Sequence, residues 1–273
     1  MARAAREVFT PGVIIALAAL VVLAGVGHAL GGTSAEELRQ FFAVPLLFFV
    51  VAAWSLFHLL KGSAVTPRAR YPKAEAIVMV AASAVLLTVL TLGADDFPSF
   101  NVPFLGRIVL TQLALVVYAV LLLSLVVFRP RLHDLGLTRF PQITNWLVVL
   151  VVGILGYVAR VRLDFTNLDA HVAQLPATLL YVAIPANLFF RALFQTRAEL
   201  ILPAGWAILA QGIFSAALLG ASIVAGGREW TMALQLIFPA LSLSMLTGIV
   251  WYRTRSLYLC VLLHLFISIG FLV

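Results

Sequence analysis

A chain of 273 residues that is 63% hydrophobic and 11% charged, with a mean hydropathy of +1.09, carries more apolar surface than a soluble domain of that size can bury. This excludes a soluble enzyme and a nucleic-acid partner, because the net charge of +7 comes from basic residues in loops between apolar runs, where they set orientation in a membrane. The single cysteine, Cys260, excludes disulfides and thiolate metal sites.

The apolar runs reach the roughly 18 residues that cross a bilayer as a helix, and they predict an all-α, polytopic helical membrane protein of about nine transmembrane helices. The first span, about Val13 to Leu30, follows Arg3 and Arg6; its long apolar core reads as a retained span rather than a cleaved leader. The second runs from about Phe41 to Leu60 and the third from about Ala74 to Leu92, separated by a basic loop with Lys61, Arg68, Arg70 and Lys73. A loop with Asp95 and Asp96 precedes the fourth, about Ile108 to Phe128. The fifth covers about Ile143 to Ala159, the sixth Leu175 to Phe194, the seventh about Leu202 to Ala225, the eighth about Met232 to Tyr252, and the ninth begins at Leu257.

Alternate loops then place Arg3, Arg6, Lys61, Arg68, Arg70, Lys73, Arg129, Arg131, Arg139, Arg197, Arg253 and Arg255 on one side. Arg39, Arg107, Arg160, Arg162 and Arg228 fall on the other. The excess marks the first side, with the N-terminus, as cytoplasmic. There is no internal repeat of the kind that paired transporter halves carry.

Polar residues inside apolar spans are expensive and point to function. Asn187 and Arg191 lie four apart in the sixth span, Gln211 and Ser215 in the seventh, and His264 and Ser268 in the ninth. On α-helices each pair shares a face, so the three faces are expected to line one polar cavity. Arg191 also lies four residues from the expected cytoplasmic end at Gln195, from where it can instead snorkel to the headgroups. For Asn187 and the Gln and Ser side chains the plainer alternative is an interhelical hydrogen bond.

Three stretches carry a resemblance to a known family. Asp134-Leu135-Gly136-Leu137 stands just before a span; Leu188-Phe189-Phe190-Arg191-Ala192-Leu193-Phe194-Gln195 contains Arg191 followed by a small residue and Leu; and Arg253-Thr254-Arg255-Ser256-Leu257 is a basic turn leading to His264. Together they resemble the CPBP family of intramembrane proteases, which includes the type II CAAX prenyl proteases and the Abi-like, bacteriocin-processing proteins. The likeness covers about residues 130 to 273 and divides the chain into N-terminal helices of unassigned role, 1 to 129, and a protease-like core, with no soluble domain.

The resemblance implies a glutamate and a second-motif histidine that activate water, and a third-motif histidine with an Asn that stabilises the oxyanion. In this chain Ala186 stands where the catalytic glutamate belongs, with Asn187 in place of its neighbour. The second-motif histidine falls on Ile223 or, in the other register, on Leu218. His264 is kept, but Ser268 stands where Asn or Asp is usual. The remnant site is therefore Asn187, Arg191, His264 and Ser268. No acidic residue lies within a span, Glu75 coming closest. One His with Asn and Ser is too few ligands for zinc or iron, so no metal or other cofactor is expected.

The reading that follows is a degenerate, catalytically inactive family member in a bacterial inner membrane, in contact with membrane lipid and binding transmembrane or lipidated peptide segments. The alternatives are an active endopeptidase with a non-standard site, and a lipid or small-molecule carrier with Arg191 as anion anchor.

Overall fold

The computed structural model describes residues 8–62, 71–92, 99–102, 106–109, 122, 126–127, 130, 132–138, 140–161, 168–173, 175–225 and 229–268. Its helices are α1 (Pro11–Leu30), α2 (Ala35–Leu59), α3 (Pro72–Leu92), α4 (Ile143–Val161), α5 (Leu168–Ala173), α6 (Leu175–Ala198), α7 (Ala204–Ala225), α8 (Trp230–Gln235), α9 (Ile237–Thr254) and α10 (Leu257–Ser268). By length and composition Pro11–Leu30, Leu175–Ala198, Ala204–Ala221 and Trp230–Thr254 are long and apolar enough to cross a membrane, and Ala43–Leu59, Ile143–Ala159 and Leu257–Ser268 are shorter apolar helices.

The surface follows membrane logic. Ile15, Leu47, Trp54 and Ile143 are all more than 60% exposed, while Asn187, Arg191, Gln195 and Gln211 are fully enclosed. In water that inversion would be untenable; in hydrocarbon apolar side chains face the solvent and polar ones must find partners inside. The chain is an integral membrane protein.

Local chemistry sets several boundaries. Thr10 caps α1 by accepting from Val13 N at 3.4 Å, with Pro11 at the first helical position and Gly31 at the end. The break between α9 and α10 is made by Arg255, the one non-glycine residue in the left-handed region among those described, at φ 49°. Against it lies Gly136 at φ 70°, whose carbonyl accepts from Leu257 N at 3.3 Å. A Cβ at Gly136 would come within 2.8 Å of the Trp251 ring, so glycine is needed there for both conformation and space.

One segment departs from the expected helices. Ser99–Val102 pairs antiparallel with Gly106–Val109, Asn101 opposite Arg107. Ile108 and Val109, expected to open the fourth span, thus sit in a strand. They belong to a β-branched-rich stretch that suits a strand as well as a helix start. Most of the rest of that expected span lies outside the described residues.

Several loops and helix ends meet at one end of the bundle. Lys61 N donates to Asn145 Oδ1 at 2.9 Å and Asn145 Nδ2 donates to Lys61 O at 2.7 Å. Arg253 donates to Leu60 O at 2.8 Å, Arg197 pairs with Glu75 at 3.4 Å, and Arg255 pairs with Glu199. At the opposite end, α1 closes on α8, where Gly27 and Gly31 lie against Leu234 and Gln235.

Candidate functional site

The site is built on α6, which is not a regular α-helix. Thr178–Ala183 and Leu188–Gln195 are widened π-helical turns on either side of a short α segment, Ile184–Asn187. Pro185 accounts for the first of them: it has no N–H to donate, and its ring crowds the carbonyl one turn back, so the helix relaxes before it. The N–H of Ile184 reaches five residues back to Leu179 O, and that of Thr196 to Arg191 O. Such widened turns recur at functional sites.

Widening changes which neighbours the polar residues meet. Four residues overshoot one turn of an α-helix and fall slightly short of one π-turn, so Asn187 and Arg191 keep to one side of α6 but lean towards different neighbours. Asn187 turns to α10, where its Nδ2 lies 3.1 Å from His264 Nδ1 and also donates to Ala183 O at 2.6 Å. The Ala183 carbonyl can only accept, which fixes the amide orientation, and the nitrogen then needs an acceptor at His264 Nδ1. A neutral imidazole with its proton on Nε2 meets that need.

Arg191 turns instead to α9. Its Nε donates to Thr247 Oγ1 at 2.9 Å, its Nη2 to Ser244 O at 3.2 Å and to Thr247 Oγ1, and its guanidinium lies 5.9 Å from the Phe190 ring centre. It is fully buried, so it does not snorkel. Gln211 reaches the same Ser244 carbonyl at 2.8 Å and Ile208 O at 2.9 Å. Ser215, half-buried one turn on, takes no part in this network.

Ser268 is buried, but its hydroxyl donates back to His264 O at 2.6 Å. The hydroxyl is thus spent on its own helix. Ala186 is half-buried beside Asn187 and brings no ionisable group. Ile223, on α7, is likewise half-buried and apolar. Of the six polar residues expected to line one cavity, four form a packed seam of two contacts, Asn187 with His264 and Arg191 with Gln211 through Ser244, and Ser215 and Ser268 stand outside it. Among the described residues no group of three metal-ligating side chains comes together.

The seam continues where sequence reasoning did not follow it. Gln195 donates to Gly248 O at 3.0 Å and to Glu199 Oε1 at 2.7 Å, and Glu199 pairs with Arg255, both nearly enclosed. The signal was present: Asn187, Arg191, Gln195 and Glu199 recur every fourth residue. Thr196 accepts from Trp251 Nε1 at 3.1 Å and donates to Arg191 O at 3.1 Å, locking α6 to α9 beside it.

Residues 168–270 match the family described as type II CAAX prenyl endopeptidase, Rce1-like. No curated protein and no solved structure matches the chain. The match spans α5 to α10 and includes every residue of the seam from Asn187 to His264, as well as Ala186 and Ile223. The helices that carry Asn187, Arg191 and His264 thus lie within the stretch that matches the Rce1-like type II CAAX prenyl endopeptidase family.

Proposed function

We propose that this chain is a non-hydrolytic relative of the CAAX endopeptidases, binding membrane-embedded or lipidated peptide segments without cleaving them. The observation that carries the reading is the pairing of His264 Nδ1 with Asn187 beside Ala186 at the glutamate position. Peptide hydrolysis needs a base for water and donors for the oxyanion. This site keeps a donor, His264 Nε2–H, and has no base: alanine replaces the carboxylate, isoleucine at 223 the second-motif imidazole, and Asn187 occupies the one acceptor nitrogen of His264. An anion-anchoring role for Arg191 is disfavoured by its engagement with Thr247 and Ser244.

The chain in this reading crosses a bacterial inner membrane nine times with its N-terminus in the cytoplasm. The meeting of residues 60–62, 75, 132–137, 195–199 and 253–257 at one end supports it, since these are the stretches that the basic-residue bias assigns to the cytoplasm.

The test is photo-crosslinking in bilayers with a prenylated CAAX peptide. Specific capture that a non-crosslinking copy of the peptide competes away, and that His264→Ala weakens, is the expected result. Equal capture of an unrelated soluble peptide would remove the basis for the reading.

A further inference from the structure

The seam holds four enclosed polar atoms without a hydrogen-bond partner among the described residues: Asn187 Oδ1, Arg191 Nη1, Gln195 Oε1 and Gln211 Oε1. Three of them lie on α6 at four-residue spacing and the fourth on α7. Asn187 touches His264; Arg191 and Gln211 meet at Ser244 O; Gln211 and Gln195 flank the Cα of Gly248, where an added Cβ would lie 2.8 Å and 3.1 Å from their amide atoms. Gln195 then reaches Glu199 at the end of α6.

The chemistry of these atoms selects their ligand. Each amide nitrogen faces carbonyl or carboxylate oxygens, so the three amide groups cannot flip, and Asn187, Gln195 and Gln211 each offer an oxygen. Arg191 is a permanent cation and offers only a donor. A small anion drawn to Arg191 would face three carbonyl oxygens, and a metal cation would face the guanidinium. A water molecule can accept from Arg191 and donate to the amides, and enclosed waters characteristically satisfy such groups.

We propose that the seam is a hydrated passage, a file of ordered waters leading from the Glu199–Arg255 end of the bundle to the His264–Asn187 pair. This goes beyond the peptide-binding reading and does not depend on it. The passage gives His264 contact with bulk water from the polar end rather than through lipid. Gly248 borders it, since a side chain there would meet the amides of both Gln195 and Gln211.

The experiment uses the full chain in lipid nanodiscs with ¹⁵N-arginine, reading magnetisation transfer from water to the Arg191 guanidinium. The wild type should show strong transfer, unchanged when chloride is replaced by gluconate. Gly248→Ala should reduce it several-fold; Gln211→Leu serves as a second block should that variant fold poorly. Arg191 protons without water contact, surviving in deuterated solvent as long as the core amides of α9, would overturn the passage. A signal that follows chloride would overturn it in favour of an anion.

Discussion

Asn187 Nδ2 stands 3.1 Å from His264 Nδ1 while donating to Ala183 O at 2.6 Å, and this shared amide decides which ring nitrogen carries the proton. Nitrogen-15 spectra of labelled histidine should show His264 as the Nε2–H tautomer at neutral pH. In Asn187→Ala the ring loses that constraint and a tautomer mixture should appear, with a stability cost of about 1 kcal/mol. A wild-type ring protonated on Nδ1 would contradict the assignment.

Restoring carboxylates by Ala186→Glu with Asn187→Glu should leave peptide turnover at background. The second imidazole is still missing at Ile223, and Asn187→Glu also removes the partner that orients His264. Only when Ile223→His is added to Ala186→Glu does the site regain the three groups that water activation requires. Turnover in the glutamate double variant, followed with a fluorogenic CAAX peptide, would show that one imidazole suffices.

Glu199 and Arg255 form an ion pair whose side chains are 5% and 9% exposed. Removing one partner strands a nearly buried charge, so Arg255→Ala should destabilise by about 3 kcal/mol. Replacing both, Glu199→Gln with Arg255→Gln, should cost clearly less. Melting in detergent micelles with and without added salt distinguishes the two cases, since an enclosed pair is weakly screened.

Pro185 lies in the short α segment that joins the two widened turns of α6. Alanine is favoured over proline in a helix interior by about 3 kcal/mol, yet Pro185→Ala should lower the melting temperature, because regular α-turns would rotate Arg191 away from Thr247. A rise in melting temperature with the Arg191–Thr247 contact intact would show that the widened turns have another origin.

Composition and the length of the apolar runs were enough to read a helical membrane protein, and the spacing around Arg191 and His264 was enough to read the family. What was not legible follows from one assumption and one blind spot. The assumption is a 3.6-residue period through α6: Pro185 was visible, but whether a helix answers a proline by kinking or by widening depends on the helices packed against it. Hence the bonding of Asn187 to α10 and of Arg191 to α9 was not legible from their spacing. The blind spot concerns groups just outside spans. Glu199 was read as loop although Gln195 and Arg255 draw it inward, and Glu75 was placed at a span end without its partner Arg197. Ser268 was expected beside His264 on spacing alone, which cannot tell a hydroxyl facing a site from one bonded to its own helix.

The most direct measurement is turnover by the purified chain in bilayers, with prenylated CAAX peptides and single-span substrates, and His264→Ala alongside. The site described here predicts no cleavage above background by a folded wild type that still captures the peptide. Cleavage that disappears in His264→Ala would contradict it and require His264 to act without a carboxylate partner.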